Sequence, residues 1–452
     1  MRKIIIILSV IMGYFLNHDT AMTKGLDLYY GPFTLNGFYQ KEFALHSTNI
    51  ADNSKVRSWE DWRYKPSPDG KQITEDHRGF REGVELFQLS LGFEFELDQW
   101  EITEDAKLLA RLTRRWRDGD PDLQDWDWYE RYVGVAHERF GTIYVGNLIT
   151  RSWQRSDYPF GSDNGLADPW GASGAGFGFV NNALRYTAPH IGTSMGNLVL
   201  EGMVSLPEKS ARGFQGINRN QVLKPHDPYL VEFFGQLANP KLVFEYTFQM
   251  SQGAEQNAWA KQPFRGGFPN VNEGDPNPKQ TIHQINADYR LTGDTNITLG
   301  ARYNRWSGKS FECDYDTALP GCWYADWGFN VNDRNVGEPV WNVDFLAGVR
   351  HKIGPYTLGL GAMHFGRGNT KNTRENGQSN SANLISFGVS RVLNDIDDTL
   401  TGLEMSIGVG HMRYNKKSIG PVSMPGNGTY AANDPRVDKN STSIGIGFKY
   451  AF

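Results

Sequence analysis

The sequence predicts an all-β fold, a single transmembrane antiparallel barrel of about sixteen strands, and three features predict it. Strand-length segments alternate apolar with small or polar residues down to the last residue of the chain. Charges keep to one of the two faces, and the connections alternate strictly between short and long. Because successive strand side chains point to opposite faces, each segment has one face suited to hydrocarbon and one suited to water. A closed membrane barrel uses that pattern all the way round.

The strands follow in order. The first is expected over 34–46, and the second over 87–97, where Phe87, Leu89, Leu91, Phe93, Phe95 and Leu97 alternate with Gln88, Ser90, Gly92, Glu94 and Glu96. Further strands are expected over 100–115, 128–137, 141–150, 181–188, 196–206 and 229–238. Over 240–250, Leu242, Phe244, Tyr246, Phe248 and Met250 oppose Lys241, Val243, Glu245, Thr247 and Gln249; over 281–291, Ile285, Ala287, Tyr289 and Leu291 oppose Gln284, Asn286, Asp288 and Arg290. A strand over 296–307 precedes one over 340–353, in which Trp341, Val343, Phe345, Ala347 and Val349 oppose Asn342, Asp344, Leu346, Gly348 and Arg350. Strands over 354–367, 381–393 and 399–414 lead to the last, 442–452, with Ile444, Ile446, Phe448, Tyr450 and Phe452 on its apolar face.

Short turns with Gly, Pro, Asn or Asp punctuation fall at Asp98-Gln99, His137 to Gly141, Ala188 to Gly196, Asn239-Pro240, Thr292 to Thr295, Ile353 to Pro355 and Asn394 to Asp398. Long connections fall at 47–86, 115–128, 150–181, 206–228, 250–280, 307–340, 367–381 and 414–442. An even-stranded barrel with both termini in the periplasm predicts this asymmetry, whereas soluble domains rarely hold several structureless loops beyond about 15 residues. Ionised groups do not enter a packed core unpaired, so charge on one face favours a water-filled lumen over a sandwich core.

Bulk properties agree. Only 39% of the 452 residues are hydrophobic and 50 are glycine; past the N-terminus no run approaches the roughly 20 apolar residues a spanning helix needs. Aromatics, at 13%, suit interfacial girdles, with Trp100, Trp306, Trp341, Tyr356 and Tyr450 near strand ends; aromatic faces also stack on sugars, which is the alternative role. A net charge of −5 argues against a nucleic-acid partner. Arg2 and Lys3, the apolar run Ile4 to Leu16 and the polar stretch through Ala21 have the build of a secretory signal peptide over 1–21, leaving one barrel domain over 22–452. Asp19 at the −3 position departs from a small-x-small cleavage site, so an uncleaved anchor is the alternative. Cys313 and Cys322, the only cysteines, suit a disulfide-closed loop in an oxidising compartment and make a poor zinc site.

Several segments resemble the Gram-negative general porin family, sixteen-stranded outer-membrane diffusion channels that usually form trimers. Phe140-Gly141-Thr142-Ile143-Tyr144-Val145-Gly146 is similar to that family's fourth turn and fifth strand. Asn181-Asn182-Ala183-Leu184-Arg185-Tyr186-Thr187-Ala188-Pro189 is similar to its sixth strand, and the terminal Phe452 to its assembly signal. The long first loop and Asn147, where relatives often carry a basic residue, are departures. The resemblance implies that the third long connection, 150–181, folds into the lumen; Pro159-Phe160-Gly161-Ser162-Asp163 is similar to the family's acidic constriction motif without its usual Glu after Pro.

Asp157, Asp163 and Asp168 are therefore candidates for the acidic side of a constriction, and Lys107, Arg111 and Arg115, at even spacing on one strand face, for the basic side, joined by Arg185 if its strand turns it inward. A transverse field across a narrow passage selects polar solutes. The competing reading, with Arg114 and Arg117 in the same segment, is a solvated strand end whose cations pair with Glu94, Glu96 and Glu101 on the wall. Gly171 to Gly178 lacks the spacing and the Lys-Ser/Thr of a phosphate-binding loop, Asp314 and Asp316 read as a solvated acidic loop rather than a calcium site, and no nucleophile-base set stands out.

The expected function is passive diffusion of ions and small hydrophilic solutes through an outer-membrane homotrimer in contact with outer-membrane lipid and lipopolysaccharide, with no cofactor and no enzymatic activity. A substrate-selective channel for oligosaccharides or aromatic acids, a barrel enzyme and a barrel adhesin are the alternatives.

Overall fold

A computed structural model describes residues 28–30, 32–46, 79–97, 105–117, 128–154, 179–206, 229–252, 279–307, 340–370, 381–394, 396, 400–415 and 440–452. Sixteen long strands run through them: β1 (Phe33–His46), β2 (Gly79–Glu96), β3 (Ala106–Arg117), β4 (Trp128–His137), β5 (Gly141–Ile149), β6 (Phe179–Thr187), β7 (Gly196–Ser205) and β8 (Tyr229–Ala238), then β9 (Leu242–Gln252), β10 (Lys279–Arg290), β11 (Thr295–Ser307), β12 (Val340–Ile353), β13 (Tyr356–Phe365), β14 (Ala382–Val392), β15 (Leu403–Tyr414) and β16 (Asn440–Ala451). Three pieces of two or three residues, Leu28–Tyr30, Ile191–Thr193 and Asn369–Thr370, add to the same sheet. Every long strand pairs antiparallel with its neighbours in sequence.

The sheet closes on itself where β16 pairs with β1, in a register running from Ser443↔His46 to Ala451↔Phe38. Past the last ladder pair, Phe452 N–H donates to the Gly37 carbonyl at 3.0 Å and Gly37 N–H donates to the Phe452 carbonyl at 2.8 Å. Position 37 has no room for a side chain: a Cβ there would meet the Gln88 carbonyl oxygen and stand 2.8 Å from Cζ of the Phe452 ring. With β16 paired to β1, each of the sixteen long strands has a strand neighbour on both sides, as hydrocarbon requires of a spanning sheet.

The two faces sort as the alternation predicts. Val133, Leu299 and Ile385 are 57%, 55% and 57% exposed on the outside, whereas Asn304 and Asn342 are 0% and Asp344 is 1% exposed on the inside. An outer wall of exposed Val, Ile, Leu and Phe is what a bilayer core accommodates. Trp341 and Tyr356 lie on that outer face near opposite strand ends, as girdle residues should; Trp100 and the Trp306 side chain fall outside the described residues.

Strand order and number match the sequence reading, and the ends differ where pairing rather than pattern decides. β2 begins at Gly79 instead of 87, because the ladder with β1 continues to His46↔Gly79 past a bulge between Lys41 and Phe43. β3 begins at Ala106 instead of 100, because Asp105 turns the chain with φ +60°. The shortest turn, between Ile353 and Tyr356, places Gly354 at φ +57°, the conformation a two-residue hairpin needs at its first central position. The signal peptide, Cys313 and Cys322, Asp314 and Asp316, and Gly171 to Gly178 all lie outside the described residues.

Candidate functional site

The inner wall carries the groups that would meet a solute, and the third long connection begins on it. After Ile149 the chain leaves β5 through Thr150 and makes one helical turn, α1 (Arg151–Gln154), closed by Gln154 N–H donating to the Thr150 carbonyl at 3.1 Å. A helical turn starts with backbone N–H groups that lack partners. Here the Glu232 carboxylate of β8 accepts two of them, from Arg151 at 2.6 Å and Ser152 at 3.0 Å. Gln249 of β9 completes the contact, its Nε2 donating to Ser152 Oγ at 2.7 Å and to Glu232 Oε2 at 2.9 Å.

The Arg151 side chain reaches further along the wall. Its Nε and Nη2 meet both oxygens of Glu201 on β7, at 2.5 and 2.7 Å, the two-pronged geometry that makes guanidinium–carboxylate pairs strong. Nη1 donates to Gln154 Oε1 at 2.8 Å, and the guanidinium lies 5.2 Å from the Phe234 ring centroid. Thr187 Oγ1 of β6 donates to Glu201 at 2.9 Å. Burial by itself would push the guanidinium pKa down, and the adjoining Glu201 carboxylate outweighs it, so the pKa of Arg151 is raised. The partners of this turn lie on the inner face of β7–β9, so the third connection begins by turning into the lumen, its first turn held by the second, third and fourth strands beyond the one it left. An apolar seat lies alongside: Leu148, Val180, Ala183, Met203 and Leu230, with Tyr132 and Tyr144 packed against them.

The basic candidates all face inward, and each has wall partners. Lys107 Nζ lies 2.8 Å from Glu94 and 2.8 Å from Glu96. Arg111 Nε lies 3.3 Å from Glu130 Oε2 and donates to Thr113 Oγ1 at 3.2 Å. Arg115 Nε donates to Gln88 Oε1 at 2.8 Å, and its guanidinium stands 5.7 Å from the Phe38 ring centroid. Arg185 is turned inward and buried, donating to the Ile149 carbonyl and to Met203 Sδ at 3.6 Å. It thus belongs to the seat of the third connection rather than to the β3 row. Arg114 points outward, over the Trp116 ring at 4.9 Å. Asp157, Asp163, Asp168 and Glu101 lie outside the described residues.

Sequence reading missed Arg151, Glu201, Glu232 and Gln249. The available signal was a charged or amide residue at an inner position of each of three consecutive strands, which alone does not say what it touches. A second inner network was equally silent: Asn304 Nδ2 donates to Asp344 Oδ2 and Asn342 Oδ1, both at 3.1 Å, and Asp344 Oδ1 accepts the Gly366 N–H at 2.8 Å. In a closed ring of sixteen strands β16 stands opposite β8. Its inner face carries Gly445 and Gly447, beside Gly408 and Gly410 of β15, with Lys449 on the turn side of these glycines and a buried apolar cluster that includes Met363, Phe365, Leu384, Met412 and Tyr414 on the loop side.

No family model matches the sequence, and no curated protein matches it. Solved structures do. The chain is similar to the anion-selective porin from Comamonas acidovorans (TM-score 0.54, 11% identity, covering 93% of this chain and 99% of that one). It is similar to OmpT, an outer membrane protein of Vibrio cholerae (TM-score 0.55, 11% identity, 94% and 100%), and to the outer membrane channel DcaP of Acinetobacter baumannii (TM-score 0.52, 10% identity, 93% and 97%). The likeness spans the whole barrel of each and shows a shared fold.

Proposed function

We propose that the protein is an outer-membrane channel through which ions and small hydrophilic solutes diffuse passively, its long loops facing the exterior and its short turns the periplasm. The observation that carries this reading is the closed wall, hydrocarbon-compatible outside and lined inside with amides, hydroxyls and charges, into which the third connection is latched. The channel filters by size and by field; it binds no cofactor and does no covalent chemistry. Asp157, Asp163 and Asp168, on the connection that begins after Ile149, supply the acidic side of the constriction, and Lys107, Arg111 and Arg115 the basic side, while Arg185 is buried in the seat of that connection. The resemblance to general porins supports a homotrimer.

Single-channel recording in planar bilayers tests both the pore and its field. Ohmic conductance is expected from the purified protein, and its absence would end the channel reading. Arg111→Ala with Arg115→Ala removes two inner cations and leaves Glu130 without its cation, so the reversal potential in a salt gradient moves toward that of the cation. Each charge at about 10 Å in water contributes about 0.4 kcal/mol, roughly a factor of two in local ion concentration. An unchanged reversal potential would remove the β3 row from the constriction.

A further inference from the structure

The inner ion pairs differ in how far water reaches them. Arg151 and Glu201 keep 14% and 4% of their side-chain surface exposed, and on the neighbouring wall Glu245, Gln249, Asn304, Asn342 and Asp344 are buried as well. Across the lumen, Lys107 is 26%, Glu94 37% and Glu96 40% exposed. Arg111 is 39% exposed beside Glu130 at 15%. The inner faces of β2–β4 therefore carry the ion pairs that a passing solute meets.

These open groups stand at two heights. Lys107, the second residue of β3, is in register with Glu96, the last of β2, and Glu94 is the next inner position along that strand. The cluster sits at the turn-side mouth of the lumen and holds two carboxylates for one ammonium. Arg111 lies four residues further along the same face of β3, which is about 14 Å along the strand and about 10 Å along the axis of a barrel whose strands tilt by about 40°. Between Arg111 and Glu130, Thr113 Oγ1 accepts from the guanidinium at 3.2 Å and donates to the carboxylate at 3.5 Å, so each keeps a contact when the other moves.

An ion pair open to water contributes little to stability, so its members exchange partners readily. A solute ion of one sign gains little there, because the member that attracts it stands beside one that repels it. A molecule carrying an ammonium and a carboxylate on one short skeleton meets both halves. Its carboxylate takes Lys107 Nζ and its ammonium takes Glu96 while Glu94 stays on Lys107, so no charge is left without a partner. The same exchange at Arg111 and Glu130 has Thr113 to hold the displaced groups.

We propose that the two open clusters are successive stations for small zwitterions, of which free amino acids are the chemical type, and that the channel passes them faster than uncharged solutes of equal size. The inference deepens the reading of the chain as a diffusion channel and rests on it. A weak station raises the local concentration of its solute without trapping it, as conduction requires. Lys107 with Glu94 and Glu96 holds the zwitterion at the turn-side mouth, and Arg111 with Glu130 holds it deeper in the lumen.

The test measures osmotic swelling of proteoliposomes holding the folded full-length protein, in alanine and in lactamide, its uncharged isomer. Alanine is expected to enter about threefold faster than lactamide, within what exposed ion pairs contribute. Lys107→Gln with Glu94→Gln and Glu96→Gln removes the outer station and lowers the ratio to about two; adding Arg111→Gln and Glu130→Gln brings it to about one. Equal rates for the two isomers in wild type, or a ratio undiminished in both variants, would overturn the stations. Heat-shifted electrophoretic mobility verifies that each variant is a folded barrel. Lactamide swelling reports the pore itself: lactamide entry with no preference for alanine overturns these stations alone, whereas entry of neither isomer overturns the channel reading.

Discussion

Replacing Arg151 with alanine is expected to unlatch the third connection and to widen the channel and make its current noisier, while the barrel stays folded. The replacement strands the Glu201 carboxylate, which is 4% exposed and keeps only Thr187 of the partners described above. Removing one member of a buried ion pair costs about 3–5 kcal/mol. That exceeds what the backbone contacts of a four-residue turn return, since each hydrogen bond contributes only about 1 kcal/mol net, or about 1.5–3 to a charged group. The sixteen-strand ladder does not depend on Arg151, so electrophoretic mobility of the unheated barrel is unchanged. Glu201→Ala together with Arg151→Ala removes the stranded charge and recovers part of the loss, as a coupled pair must. Glu232→Ala acts separately, by uncovering the Arg151 and Ser152 N–H groups. Conductance and open-channel noise identical to wild type in both Arg151→Ala and Glu232→Ala would show that the latch does not hold the passage.

Gly37→Val is expected to prevent the barrel from closing. A Cβ at 37 meets the Gln88 backbone oxygen on one side and the Phe452 ring at 2.8 Å on the other, and neither can yield cheaply. Gln88 is in register with Phe38 in the β1–β2 ladder, while Phe452 is held by both backbone hydrogen bonds to residue 37. Displacing Phe452 breaks the outermost rung of the β16–β1 seam, the one place where the ends of the chain must find each other. An open barrel exposes two rows of unpaired backbone groups to hydrocarbon, each costing several kcal/mol. The measurement is the fraction of refolded protein that resists proteolysis and migrates as an unheated barrel. A yield of folded Gly37→Val equal to wild type would mean that the seam tolerates a displaced C-terminus. Gly92→Ala, whose new Cβ would stand 3.6 Å from Thr34 in ordinary contact, serves as the control that keeps its yield.

Much of this molecule is local. A period of two in residues such as Phe87 to Glu96 or Trp341 to Arg350 says which side chain meets lipid and which meets water, because strand geometry turns successive side chains to opposite faces whatever their neighbours are. The alternation of short and long connections supplies antiparallel order, and order plus an even strand count supplies closure. The limits of β2 were less legible: residues 79–86 belong to the strand because β1 offers them partners, not because they alternate. Likewise the inward orientation of Lys107, Arg111 and Arg115 follows from spacing, and the pairing of the row with Glu94 and Glu96 was the competing sequence reading, met by Lys107; the engagement of Arg111 by Glu130 and of Arg115 by Gln88 was not legible.

What the amino-acid order determined by itself is the wall: its strand number, its faces and the sides on which its loops lie. Only the tertiary structure decided what is held inside it. Arg151 meets Glu201 fifty residues away and Glu232 eighty-one residues away, and β16 meets β1 across nearly the whole chain. Such contacts depend on curvature bringing inner faces of different strands within 3 Å of one point, and a pattern read one strand at a time carries no measure of curvature.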